Sequence, residues 1–145
     1  MQLLSASGAR LALLETVTGG EVAGLLRATP AGAEVITGAL TLKTPAEIST
    51  ALHVSLAKIE AFGLVSEMVA AEAAASLIDT YEGGWGLALL GNLPPGGGVN
   101  EPAGEMMVAL GTPSATIVRR TTLSDALYEA LDLLHGEALA RVQRR

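Results

Sequence analysis

The chain of 145 residues contains no cysteine, and this one absence excludes disulfides, thiolate metal sites and cysteine nucleophiles together. Histidine is almost as scarce. With only His53 and His135, a histidine-built metal site is not expected. Aromatic residues are limited to one Trp, two Tyr and one Phe, so the core must be assembled from Ala, Val, Leu and Ile in close contact. Positive charge is also sparse. Nine Lys and Arg against fifteen Asp and Glu leave a formal net charge of −6, a poor match to a phosphate backbone, and no nucleic-acid partner is expected. No apolar run is long enough to span a bilayer. The start, Met1 to Leu14, lacks the basic region of a signal peptide, so a cytoplasmic location and no membrane partner are expected.

What is present is apolar residue, half of the chain, at the usual length of one domain. A single domain over 1–145 is the expectation. Arg10 to Glu15 is a short apolar run ending in a turn, Thr16 to Gly20, and reads as a strand. Val22, Leu25 and Leu26 recur at helical spacing, which predicts a helix over Glu21 to Ala28, ended by Thr29-Pro30-Ala31-Gly32. Val35 to Leu42 reads as a second strand. Thr44-Pro45-Ala46-Glu47 is a helix start: Thr44 as N-cap, Pro45 at the first helical position and Glu47 closing a capping box. Ser55 and Ser66 cap two more helices, the second alanine-rich and running to about Tyr81. Trp85 to Leu90 reads as a strand. Glu105 to Leu110 and Ala115 to Arg120 read as a hairpin about Gly111-Thr112-Pro113. Thr122 or Ser124 begins a closing helix, whose terminal Arg141, Arg144 and Arg145 suit its negative end. The order predicts an α/β, three-layer sandwich around a mixed sheet of about five strands.

Two glycine-rich loops are the site-like features. Thr16 to Gly20 lies between a strand and a helix, a geometry that aims backbone N–H groups at whatever sits above it, and equally the geometry of a plain tight turn. Pro94 to Gly98 follows a strand; a glycine run there can cradle an anion or simply form a surface loop. Glu15 either orients the first turn or is a solvated surface carboxylate. Asn92 is either an amide contact to a ligand or a turn-former. The remaining distinctive side chains have structural readings: Trp85 as a core or interface anchor, Met106-Met107 as packing, His53 on the surface, His135 within the closing helix.

Taken in order, these segments resemble the CinA C-terminal domain family, which includes nicotinamide mononucleotide amidohydrolases. Glu15-Thr16-Val17-Thr18-Gly19-Gly20 is similar to the family's A-E-S-C-T-G-G. Gly63-Leu64-Val65-Ser66-Glu67-Met68-Val69-Ala70 is similar to its G-A-V-S-x-x-V-A. Gly91 with Pro95-Gly96-Gly97 matches parts of T-G-I-A-G-P-G-G, and Pro102 and Gly104 fit the P-V-G that follows. The resemblance implies a ligand frame made of Thr18, Gly19, Gly20, Gly91, Asn92, Gly96, Gly97 and Arg119, open to a small pyridine-nucleotide-like ligand, with no cofactor and no metal. It also makes Thr16 the nucleophile position, where the family carries Ser. The added methyl of Thr stiffens χ1 and crowds an attacking oxygen. The family's T-Y-S-N-x-x-K reads here Thr41-Leu42-Lys43-Thr44-Pro45-Ala46-Glu47, so Tyr is replaced by Leu42 and Lys by Glu47. Lys43 or Glu47 would have to serve as base. The joint loss of Ser, Tyr and Lys implies a degenerate, catalytically impaired relative that binds a nucleotide-like ligand or acts as an assembly or regulatory subunit. The alternative is an active amidohydrolase, with Thr16 as nucleophile, that converts nicotinamide mononucleotide to nicotinate mononucleotide and ammonia. A homodimer, or joint work with a separate CinA-like chain, is a further expectation.

Overall fold

The computed structural model describes residues 5, 8–81, 84–91 and 105–143. Eleven elements follow one another among them. β1 is Leu11–Glu15, α1 Glu21–Arg27, α2 Pro30–Val35, β2 Ile36–Thr41, α3 Pro45–Leu52, α4 Leu56–Phe62 and α5 Glu67–Thr80. β3 is Trp85–Gly91, β4 Glu105–Gly111, β5 Thr116–Thr122 and α6 Ala126–Gln143. The five strands form one sheet in the order β2-β1-β3-β4-β5. β1 runs parallel to both β2 and β3; β4 is antiparallel to β3 and to β5. The α/β three-layer sandwich around a mixed five-stranded sheet is therefore as the sequence implies.

Strands buried on both faces read as continuous apolar runs, and β1 and β3 do so. Alternate side chains go to opposite layers. Leu11 and Leu13 join Leu87, Leu89, Val108 and Leu110 beneath α1, α2 and α6. Ala12 and Leu14 join Ala88, Leu90, Met107 and Ala109 beneath α3, α4 and α5. Trp85 is buried in the first of these layers, as a core anchor.

The second layer is unusually close. Gly86 and Gly111 are cross-strand partners below α5. A Cβ on Gly86 would stand 2.2 Å from the carbonyl oxygen of Ala74, and one on Gly111 would stand 3.3 Å from Ile78 Cδ1. The helix presents Ala70, Ala73 and Ala74 to the sheet, all fully buried. A core with few aromatic residues is filled here by bringing backbone to backbone.

The helix starts behave as their caps dictate. Thr44 and Glu47 form the capping box of α3, with Pro45 in the first turn, and Ser55 and Ser66 accept from the backbone N–H groups of Lys58 and Val69. The sequence reading misses one helix and places some boundaries differently. Thr29-Pro30 does not merely end a helix but starts α2, with Thr29 Oγ1 accepting from Gly32 N at 3.0 Å. It is the same Thr-Pro signature that opens α3. Val35 is consequently the last residue of a helix, and the strand begins at Ile36. The closing helix starts later than either Thr122 or Ser124, because β5 continues to Thr122. The carbonyl of Asp125 accepts the first helical bond, from Glu129 N at 3.0 Å. Among the described residues no helix is long and apolar enough to cross a membrane.

Gly86→Ala should lower the free energy of unfolding by about 1–3 kcal/mol, because α5 must lift from the sheet. Gly24→Ala, at a mid-helix position with nothing within 4 Å among the described residues, should raise it by roughly 0.5–1 kcal/mol. Paired urea titrations check both signs.

Candidate functional site

After β1 the chain turns to one side to make β2 and later returns on the other side to make β3. Parallel strands that diverge in this way leave a crevice beyond their carboxyl ends, where ligands of α/β sheets are commonly held. Glu15 closes β1 between Thr41 of β2 and Leu89 of β3. Three segments therefore start from one edge: residues 16–20, residues 42–44 and the chain after Gly91. The structure brings Thr16, Lys43 and Gly91 to the same end of the sheet although they are far apart in sequence.

Glu15 is the most committed of these residues. It is 1% exposed, and both carboxylate oxygens are engaged. Oε1 accepts from the Thr18 hydroxyl at 2.6 Å and from Val22 N at 3.0 Å; Oε2 accepts from Ala23 N at 3.0 Å. A helix N-terminus carries unpaired N–H groups and partial positive charge, and it holds an anion well. Here the anion is the chain's own carboxylate. Of the two sequence readings of Glu15, orientation of the turn is the one observed. The turn itself needs its glycines. Gly19 and Gly20 have φ of 63° and 91°, a region that other residues adopt with strain. At Gly20 a Cβ would also stand 3.1 Å from Thr41 Oγ1.

Thr16 is 2% exposed. Its Oγ1 accepts from Gly91 N at 2.8 Å and donates to the carbonyl of Gly91 at 3.0 Å, with that of Leu89 at 3.4 Å. Its backbone N–H donates to Leu89 O at 3.2 Å. The hydroxyl thus extends the β1–β3 pairing by one residue beyond the strand. Val17 closes over the same point: a Cβ on Gly91 would stand 2.9 Å from Val17 Cγ2.

The segment after β2 is spoken for as well. Leu42 N donates to Glu15 O at 3.0 Å, and its half-buried side chain packs into the layer under α3, α4 and α5. Glu47 Oε1 accepts from the backbone N–H groups of Lys43 and Thr44 and from the Thr44 hydroxyl, at 3.3, 3.2 and 3.1 Å. Lys43 is exposed. Arg119 lies on edge strand β5, in the cross-sheet row Glu15, Leu89, Val108, Arg119. Three strand spacings, about 14 Å, separate it from Glu15. Its guanidinium donates to Asp132 at 2.6 Å and to Glu129 at 3.1 Å on α6. The bonds to Asp132 and then Glu129 raise its pKa above the ordinary value, so it is a fixed cation held against α6. Asn92, Gly96 and Gly97, with the rest of the loop Pro94 to Gly98, lie outside the described residues.

One feature escaped the sequence. The use of Glu15 did not, since an acidic residue at a strand end before Thr-x-Thr-Gly-Gly and a helix can fold back on that helix. The Thr16–Gly91 contact joins residues 75 apart and has no local signal.

The family model of the CinA C-terminal domain matches residues 1–145. The chain belongs to this family. It is 37% identical over 140 residues to a CinA-like protein of Anaeromyxobacter sp. (strain K), an alignment that takes in 90% of this chain and 34% of that protein. It is 33% identical over 111 residues to a CinA-like protein of Synechococcus sp. (strain CC9902), covering 76% of this chain and 26% of the other. The chain thus spans about a third or less of the curated relatives it matches. Among solved structures, a CinA-superfamily protein from Klebsiella pneumoniae 700603 superposes with a TM-score of 0.86 at 22% identity, over 96% of this chain and 92% of that one. A competence-damaged protein (CinA) superfamily protein from Escherichia coli gives 0.77 at 28% identity, over 98% and 83%.

Glu15→Ala should lower the free energy of unfolding by about 3 kcal/mol, since three buried or half-buried donors lose a charged acceptor. Glu15→Gln, which keeps one carbonyl oxygen, should lose less. Urea unfolding measures the difference, and equal stability of the three proteins would show the contacts to be dispensable.

Proposed function

We propose that this chain is a CinA-family domain without amidohydrolase chemistry, in which the strand-end crevice serves binding or assembly. The observation that carries this reading is the Thr16 hydroxyl, buried and bonded in both directions to the backbone of Gly91. Attack on a carboxamide carbon needs a hydroxyl that can reach the carbon and a base that takes its proton. The proton of Thr16 is directed at a peptide carbonyl, which is not a useful base at neutral pH. The carboxylates nearby in sequence are already engaged, Glu15 by the first turn of α1 and Glu47 by the capping box of α3. Leu42 brings neither donor nor acceptor to the position where the family resemblance puts a tyrosine.

A ligand can still approach the glycines. Among the described residues nothing lies within 4 Å of the place a Cβ would take on Gly19, which leaves that peptide open to a flat ring or a ribose. By the family resemblance the ligand is a pyridine nucleotide. Its phosphate would not be held by the amides of Val22 and Ala23, which Glu15 occupies.

Purified protein incubated with nicotinamide mononucleotide should release no ammonia above the Thr16→Ala variant, while calorimetry with the same nucleotide reports binding. Ammonia release that disappears in Thr16→Ala would overturn the reading in favour of a threonine nucleophile. A triple variant, Thr16→Ser with Leu42→Tyr and Glu47→Lys, restores the family's residues at the three positions. Turnover by it alone would locate the loss of chemistry in those side chains.

A further inference from the structure

The inner face of α6 is built like the rest of the core: Ala126, Ala130, Leu133, Leu134 and Ala138 are buried against the sheet. Its outer face is apolar as well. Tyr128 is 69% exposed, Leu131 40% and Leu139 39%. Single apolar side chains are ordinary on any surface. These three are not single. With the exposed His135 they follow one another at steps of three, four and four residues, the spacing that aligns side chains along one face of a helix. At the helical rise the row is about 16 Å long. A helix that is apolar on both faces is one that is covered on both.

Charge narrows what covers it. The chain carries a formal charge of −6, so two copies repel in general. The row itself holds no Lys, Arg, Asp or Glu. The carboxylates beside it, Glu129 and Asp132, are already held by Arg119 of the same chain. This face is therefore one where two copies can meet without opposing unpaired carboxylates. The row also matches itself. Tyr128 and Leu139 are centred on the same point of the helix as Leu131 and His135, near Leu133. A two-fold axis at that point sets Tyr128 against Leu139 of the second copy, and Leu131 against its His135. Each contact then joins a ring to an aliphatic side chain, in the self-complementary manner of a two-fold dimer. A foreign chain would need a matching row of its own; a second copy brings one.

We propose that the outer face of α6 is a dimer interface, in which two copies pair their α6 helices antiparallel across Tyr128, Leu131, His135 and Leu139. The interface uses no residue of the strand-end crevice and does not depend on what that crevice binds. In sedimentation equilibrium the intact chain should pass from monomer to dimer as its concentration rises through the micromolar range. Tyr128→Glu, at the most exposed of these positions and so the least costly to the fold, should weaken the dimer at least about tenfold by burying an unpaired carboxylate. Phe62→Glu, at an exposed position on α4 across the sheet, should leave it unchanged. The direction of pairing is read by cross-linking, which the absence of cysteine makes clean. Under mild oxidation, Tyr128→Cys mixed with Leu139→Cys should form a mixed disulfide, and either variant by itself much less. A monomer at every concentration would leave the face to a partner of another kind and overturn the proposal. A dimer that Tyr128→Glu leaves intact would overturn it too, as would cross-linking of Tyr128→Cys to itself in preference to Leu139→Cys.

Discussion

The end of β1 is held by two side chains in succession, and the crevice takes its shape from them. Glu15 turns toward α1 and puts a carboxylate on the amides of Val22 and Ala23. Thr16 turns toward β3 and clasps the backbone of Gly91. One contact fixes where the first helix starts; the other fixes where the central parallel pair stops. Between them the chain must reverse within four residues, which is why Gly19 and Gly20 take left-handed conformations. The glycines answer the demands of this anchoring before they answer to any ligand.

The same economy of space governs the layer under α5. A chain with so few aromatic rings cannot fill a wide gap between helix and sheet, so the gap is narrowed. Gly86, Gly111 and the alanines of α5 make up the seam, and Tyr81 covers Gly38 where a Cβ would come within 2.2 Å of its ring. One of the few large residues is thus spent at the margin of the sheet, where the helix has already ended. Composition and close packing are two views of one constraint: small side chains fill a core only if backbones approach.

Much of this was legible in the sequence, and the exceptions have physical causes. Most elements governed by local chemistry were readable: the capping box at Thr44, the serine caps at Ser55 and Ser66, the hairpin about Gly111-Thr112-Pro113. The short helix α2 was misread although Thr29-Pro30 repeats the signal of Thr44-Pro45. The β-branched Val35 and Ile36 looked like the start of one strand, yet burial of Val35 in the layer under α1, α2 and α6 outweighs its β preference. The candidate site was legible as a set of loops and illegible as a set of contacts. That Thr16 spends its hydroxyl on Gly91 depends on the β1–β3 register, which only the assembled sheet defines.

Where the family resemblance places a serine nucleophile this chain carries Thr16, and the proposed reading turns on the difference between the two side chains. Threonine keeps the oxygen but fixes χ1 by its methyl group. Wherever the preferred rotamer brings the hydroxyl within reach of two backbone partners, the oxygen gains two hydrogen bonds and loses its freedom to attack. A serine at this position would rotate among three wells at small energetic difference. The contrast between Ser and Thr here is therefore one of conformational freedom as much as of steric bulk. Leu42, packed in the layer under α3, α4 and α5, has no atom that takes up a proton, and Glu47 is engaged by the capping box of α3. In the reading proposed above, a site of this kind sheds its chemistry without losing its fold, because side chains that no longer serve a reaction can be taken up in capping and packing.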